Sequence, residues 1–211
     1  MRRLVVMLAP ALVLLGLPGY VRAAEQIVVT RMFLVKDPPA GPSARKILWK
    51  VADENEDGDL SVVGDPTTEG AKLRIMLLPS SHCSVPPCED GGGDQCFDLP
   101  AAGWSPIGTS SFKYVDSTLT NGPVKVAAIK RASSGRFLIK AVLHGAGIAL
   151  FLEDEIGFYG LNLALGGGDD YRTGSSGAVP NPNDSETFRV KSEDGSTGYV
   201  TPCSPSGAFV D

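Results

Sequence analysis

The 211-residue chain has few of the residues on which most catalytic and metal sites depend, with two histidines, four cysteines and two tryptophans. Sites built from several imidazoles are therefore excluded, and a Ser-His-Asp hydrolase would have to use His82 or His144. No G-x-S-x-G segment is present, which excludes the nucleophile elbow of the α/β-hydrolases. Long stretches without glycine or proline are also scarce, because the chain contains 25 glycines and 16 prolines. This composition excludes long helices and favours short strands joined by turns.

Residues 1–23 have the pattern of a secretory signal peptide. Arg2 and Arg3 precede an apolar run over residues 4–17, and Val21-Arg22-Ala23 is typical of a cleavage site. We expect cleavage after Ala23, with the bond after Ala24 as the alternative, and a soluble product in the periplasm or outside the cell. Because cleavage removes three arginines, the mature chain is more acidic than the formal net charge of −5. Neither nucleic acid nor an anionic membrane surface is an expected partner on this basis.

The four cysteines form an even set, which in a secreted chain predicts two disulfides. Three connectivities are possible, and we favour Cys83 with Cys88 and Cys96 with Cys203. Residues 79–100 hold few apolar side chains and are predicted to form a cysteine-rich loop that needs a covalent staple. Zinc binding by His82, Cys83, Cys88 and Cys96 is the alternative, although the spacing is irregular for such a site.

Alternation of apolar and charged residues with a period of two recurs along residues 24–211, whereas helical periodicity is almost absent. The strand-like segments include residues 45–51, 72–78, 137–144, 159–165 and 188–190, and residues 26–35 are typical of a central strand. Ala132-Ser133-Ser134-Gly135 predicts a hairpin turn between two such segments. We predict an all-β single domain, an antiparallel β-sandwich or jelly roll of about nine short strands, with a Gly-rich loop over residues 166–185.

Several short segments follow one another as in a family of secreted bacterial β-rich modules: TRMFLVKDPP, ARKILWKV, GDPTTEGAKLRI, DLPAAGWSPIG, FKYVDS, NGPVKVAAIKR and GRFLIKAV. The chain resembles that family over residues 30–165, through a K-D strand and G-D-P-x-x-x-G-A-x-L, L-P-x-x-G-W, Y-x-Y-x-D and G-P-V-K motifs. The family has no assigned activity, so the resemblance implies a secreted β-module and no catalytic residue. Residues 169–179 lack the cysteine and the Phe-Gly pair that relatives carry there.

An acidic segment is the candidate metal site. Asp53, Asn55 and Asp57, followed by Gly58 and Asp59, fit D-x-N-x-D-G, the opening of a calcium loop with oxygen ligands. The twelfth position, where a bidentate carboxylate is needed, is Gly64, and Asp65 follows one place late. One alternative is a weak calcium site completed by Asp65, and the other is a solvated acidic turn. Calcium is the only cofactor that we expect.

Two further sets of residues can be read as functional or as structural. Trp104, in a turn, and Tyr114 are candidates for stacking on a sugar ring, and the alternative places the tryptophan over the end of the core. Glu153, Asp154 and Glu155 are candidate glycosidase carboxylates or a solvated acidic turn. We therefore expect a secreted, disulfide-stapled module that binds an extracellular ligand or forms part of a surface or matrix. Calcium- or carbohydrate-dependent binding is the second hypothesis, and a small hydrolase using His144 is the third.

Overall fold

The computed structural model describes residues 24–54, 58–80, 92–152, 155–175, 179–193 and 200–203. The strands are β1 (Glu25–Ile27), β2 (Thr30–Lys36), β3 (Lys46–Asp53), β4 (Ala71–Pro79), β5 (Gly93–Leu99), β6 (Trp104–Gly108), β7 (Ser111–Val115), β8 (Val124–Arg131), β9 (Phe137–His144), β10 (Ile156–Leu165), β11 (Asp170–Ser175) and β12 (Thr187–Glu193). Helix is limited in this part of the chain to α1 (Pro66–Glu69) and two 3-10 turns at Pro42–Ala44 and Ala101–Gly103. No helix among these residues is long and apolar enough to cross a membrane.

The strands form two sheets that pack face to face as a β-sandwich. One sheet has five strands in the order β1-β11-β10-β4-β5, and the other has seven in the order β12-β2-β3-β9-β8-β7-β6. All pairings are antiparallel except that of β1 with β11. Aromatic rings from the two sheets meet between the layers, with ring centroids 5.3 Å apart for Phe33 and Tyr159 and 5.2 Å apart for Phe137 and Tyr171. The predicted all-β sandwich is confirmed.

The core is built from the alternation that the sequence displays. Strand β3 buries Ile47, Trp49 and Val51, and β4 and β9 bury every second residue in the same way. Strand β10 also buries the residues between its inward positions, so that residues 159–163 are all buried. The predicted hairpin is also confirmed, since β8 and β9 pair across the turn at residues 132–135. Gly135 closes this turn with φ of +92°, a conformation that glycine adopts without steric cost.

Three expectations about strands are wrong. Residues 26–35 do not form one central strand, because the chain crosses between the sheets at buried Val28, so that β1 and β2 lie in different layers. The predicted loop over residues 79–100 contains β5, which buries Phe97 and Leu99. The predicted Gly-rich loop over residues 166–185 contains β11, whose Tyr171 is fully buried. The described residues form twelve strands, where about nine were predicted.

A C-terminal strap, residues 200–203, crosses the outer face of the five-stranded sheet. Its end is fixed by a disulfide between Cys203 and Cys96 of β5, with Cα atoms 6.0 Å apart. Arg74 of β4 donates from Nη1 to the carbonyl oxygen of Thr201 at 2.9 Å. Val200 is buried against Gly160 of β10, where an added Cβ atom would overlap its Cγ2. The strap therefore covers the sheet at Gly160, where glycine has no side chain and Val200 fills the space.

We predict that Gly160→Ala destabilises the protein by about 1–3 kcal/mol, because the new methyl group collides with Val200. Val200→Ala removes the colliding methyl groups, so the double variant should lose less than the two single variants combined. Urea unfolding of the two single variants and the double variant measures this coupling. Strictly additive losses would show that the strap does not rest on Gly160.

Candidate functional site

The outward positions of the seven-stranded sheet carry a row of exposed lysines that runs across the strands. Lys50 of β3 lies directly opposite Lys140 of β9, and Lys140 lies opposite Ala128 of β8, which in turn faces Lys113 of β7. On the other side, Lys50 faces Met32, which faces Lys191 of β12. We call Lys191, Lys50, Lys140 and Lys113 the lysine row.

The sheet itself fixes the spacing of the lysine row. Neighbouring strands are about 4.8 Å apart, so Lys50 and Lys140 project side by side and Lys113 follows about 10 Å beyond Lys140. Like charges directly opposite each other in an antiparallel pair are destabilising. The Lys50–Lys140 pair is thus a local cost that strand pairing does not require.

The lysine row borders a shallow groove on the same face, with a volume of about 430 Å³. Its basic lining residues are Arg31, Lys50, Lys113, Lys130 and Lys140. Small or branched apolar side chains form the floor, namely Ala52, Val126, Ala128 and Leu138. The groove therefore combines a positive rim with a floor low enough for a ligand to approach the sheet.

The two sheets treat their cations differently. In the five-stranded sheet, Lys72 pairs with Asp98 at 3.4 Å, Arg74 pairs with Asp94, and Arg172 contacts both Glu25 and Asp170. In the seven-stranded sheet, no lysine or arginine of a strand forms an ion pair with any residue that the structure describes. Among the described residues, positive charge is therefore paired on the five-stranded sheet and not on the strands of the seven-stranded sheet.

An apolar row lies beside the lysine row. Leu34, Leu48, Val142, Val126 and Val115 are consecutive cross-strand neighbours on the same face. A second basic row follows, in which Lys46 faces Lys36 on one side and His144 on the other. The face thus alternates basic, apolar and basic bands.

No aromatic side chain points outward on this face within the described part of the chain. The aromatic residues of β2, β3, β7, β9 and β12 all pack toward the core, including the half-buried Phe112. The face consequently offers charge and aliphatic surface, but no ring on which a base or a sugar could stack.

The candidate calcium ligands are not brought together in the described residues. Asn55 and Asp57 lie outside them, and no group of three carboxylate, histidine or cysteine side chains suited to a metal occurs within them. Asp53 ends β3 and Asp59 is exposed, while Asp65 caps the N-terminus of α1 by accepting from Thr67 N at 2.9 Å. Calcium binding by this segment stays a prediction.

The cysteines follow the favoured pairing as far as the structure describes them. Cys96 is bonded to Cys203, whereas Cys83, Cys88 and the neighbouring His82 lie outside the described residues. The zinc alternative is wrong for Cys96, because its sulfur is committed to a disulfide and is not a free thiolate.

Trp104 and Tyr114 occupy the core and do not form a surface. Trp104 is 6% exposed and Tyr114 is 1% exposed, with ring centroids 5.6 Å apart. The indole Nε1 of Trp104 donates to the carbonyl oxygen of Leu99 at 3.2 Å. Because both rings are buried, neither is open to a sugar, which favours the alternative in which Trp104 covers the end of the core.

The hydrolase hypothesis gains no assembled site. His144 is exposed at the end of β9 opposite Lys46, and its ring has no serine or carboxylate partner among the described residues. Glu155 is exposed, and Glu153 and Asp154 lie outside the description. Nothing here orders these groups into a nucleophile, a base and an orienting carboxylate.

The lysine row is the feature that the sequence interpretation missed, although its signal is present. The alternation that placed Ile47, Trp49 and Val51 inward also placed Lys46 and Lys50 outward, and Lys140 has the same position on its strand. The formal net charge of −5 hid this segregation, because a sum over the chain carries no information about position. The lysines align only through the pairing register of strands that lie far apart in the sequence.

Comparisons with known proteins identify no relative: no family model, no curated protein and no solved structure matches the chain.

We predict that Lys140→Gln stabilises the protein by about 0.2–1 kcal/mol at low salt, because it removes repulsion from Lys50. The gain should disappear near 1 M salt, where screening is nearly complete. Lys72→Gln is the matched control, since Lys72 pairs with Asp98 on the other sheet and its loss should be neutral or slightly destabilising. Thermal unfolding at two salt concentrations measures both. A destabilised Lys140→Gln variant at low salt would contradict the repulsion.

Proposed function

We propose that this chain is an extracytoplasmic binding module that holds a linear acidic polysaccharide on the outer face of its seven-stranded sheet. The observation that carries the proposal is the lysine row, in which Lys50 and Lys140 stand side by side and form no ion pair with any carboxylate that the structure describes. A ligand with repeated negative groups neutralises this row and removes a repulsion that the free protein tolerates.

The shape of the face supports a polymer over a small anion. The lysine row extends across strands from β12 to β7, and the groove continues along it past Ala128 to Lys113 and Lys130. A single carboxylate or phosphate contacts one or two ammonium groups, whereas a chain bearing one anionic group per sugar contacts several in sequence. Several weak contacts on one chain also raise its overall affinity.

The residue types favour a polysaccharide over nucleic acid. Lysines outnumber arginines in the groove, and the one arginine, Arg31, uses its Nε to donate to Ala52 O at 3.0 Å. Lysine is a flexible point charge that accepts carboxylate and sulfate groups in many orientations, whereas bidentate phosphate recognition favours arginine. Proteins that bind single-stranded nucleic acid also present aromatic rings, which the described part of this face lacks.

The expected location agrees with such a ligand. The signal-peptide pattern over residues 1–23 predicts export, and the Cys96–Cys203 disulfide is compatible with an oxidising compartment. Acidic polysaccharides are abundant components of surfaces and matrices outside the cytoplasm. The acidic remainder of the protein limits binding to the one basic face by repelling the polymer elsewhere.

We expect the protein to bind polygalacturonate, a linear polyuronate, in a titration at low salt and pH 7, and to bind it more weakly as salt increases. The double variant Lys50→Gln/Lys140→Gln should bind about tenfold more weakly and show a shallower salt dependence, since two of the charge contacts are removed. Lys72→Gln, on the opposite sheet, should bind as the unmodified protein does.

Three control ligands define what would contradict the proposal. Galacturonic acid monomer should not compete at an equal concentration of carboxylate, and a neutral glucan should not bind. Equal affinity of the double variant and the unmodified protein would remove the lysine row as the site. Tighter binding of a single-stranded oligonucleotide than of polygalacturonate would replace the polysaccharide with nucleic acid as the ligand class.

A further inference from the structure

The loop between β10 and β11 holds a fully buried carboxylate, Asp169, which is 0% exposed. Its Oδ2 accepts hydrogen bonds from Val63 N at 2.7 Å, from Ser61 Oγ at 3.0 Å and from Tyr171 OH at 3.3 Å. Its Oδ1 accepts from the backbone nitrogen of Ala24 at 3.0 Å. All four donors are neutral groups while Ala24 is part of an unbroken chain.

A buried carboxylate with neutral partners alone is costly, and an opposite charge in contact compensates much of that cost. No described lysine or arginine forms an ion pair with Asp169. Burial and the adjacent carboxylate both raise the pKa of Tyr171, so this phenol stays protonated and remains a neutral donor. The charge of Asp169 therefore lacks a cation in the unprocessed chain.

The remaining contact of Asp169 is made by the residue that follows the predicted cleavage site. Hydrolysis of the Ala23–Ala24 bond adds hydroxide to the carbonyl carbon of Ala23 and a proton to the nitrogen of Ala24. Residues 1–23 then leave with a C-terminal carboxylate. That nitrogen becomes an α-amine with an ordinary pKa of about 7.7–8.0, so it is largely protonated at neutral pH and below. The new positive charge arises on the atom that already contacts Asp169 Oδ1.

We propose that removal of residues 1–23 creates the missing cation, and that the α-ammonium group of Ala24 forms a buried ion pair with Asp169. The structure also selects between the two predicted cleavage sites. Cleavage after Ala24 would start the chain at Glu25, remove the nitrogen that contacts Asp169, and leave the buried carboxylate unpaired. Cleavage after Ala23 is the one of the two that completes the site.

The ion pair lies in a network that fixes the N-terminal edge of the five-stranded sheet. Ala24 O accepts from Asp170 N at 3.0 Å, so both backbone polar atoms of Ala24 are held by the same loop. Gln26 of β1 is joined to Ser61 through Ser61 N and Gln26 Oε1 at 2.8 Å, and Ser61 in turn contacts Asp169. Processing therefore stabilises β1, the segment around Ser61 and the β10–β11 loop together.

The first test is the mass of the protein secreted from the full-length gene, which should correspond to a chain that begins at Ala24.

The second test compares two purified forms, one beginning at Ala24 and one retaining Ala23 as an extra N-terminal residue. The form beginning at Ala24 should have a Tm higher by about 5 °C at pH 6, because only its ammonium group reaches Asp169. The pairing raises the pKa of this α-amine in the folded state, so the advantage is complete at pH values below the unfolded pKa. It should be lost as the pH rises through the higher folded pKa.

Asp169→Asn in both forms is the charge control. It retains a side chain able to accept a hydrogen bond, and it should reduce the Tm difference between the forms to near zero. The Tm difference between the two forms with Asp169 unchanged tests the proposal even if the Asp169→Asn variant does not fold. A mature terminus other than Ala24, or equal Tm values of the two native forms from pH 5 to pH 10, would overturn the proposal.

Discussion

A two-layer sandwich buries one face of each sheet and leaves the other to be covered or charged, and this constraint organises the whole molecule. The inner faces meet through rings such as Phe33 and Tyr159. The outer face of the five-stranded sheet is closed by the C-terminal strap, the Cys96–Cys203 disulfide and paired cations. The outer face of the seven-stranded sheet has no cover among the described residues, and the lysines of its strands form no ion pair with any of them. The candidate site follows from this difference between two otherwise similar layers.

Three of the segments on which the predicted family resemblance rests contribute caps and turns to the fold. In G-D-P, Asp65 caps α1 and Pro66 occupies its first turn. In L-P-x-x-G-W, Gly103 leaves room for the ring of Tyr114, and Trp104 folds back onto Leu99 O. At the end of F-K-Y-V-D, Asp116 accepts from Asn121 N at 2.7 Å, and these backbone contacts lower the pKa of its carboxyl group. Caps and turns of this kind specify a scaffold and by themselves carry no information about a ligand.

The sequence predicted the fold class and most of the core because both depend on local alternation. Trp49, Leu73, Ile139 and Leu161 could be placed inward from their neighbours alone. Strands β5 and β11 were missed because their outward residues are polar and their inward apolar residues are too few to stand out from a Gly-rich context. The lysine row was missed for a different reason: it depends on register between strands far apart in sequence, which the alternation of a single strand does not contain.

The same limit explains why the sequence predicts Asp169 within a Gly-rich loop and not in the core. Its neighbours Gly166, Gly167 and Gly168 are typical of an open turn, and nothing in the local sequence indicates that Ala24 and Val63 approach it. Tertiary structure converts this segment into the place where three distant parts of the chain meet. In the proposed ion pair, the buried carboxylate gains an opposite charge when a peptide bond more than a hundred residues away in the sequence is cut. The proposal thus joins the predicted cleavage site and the buried carboxylate into one feature, which depends on sequence and structure together.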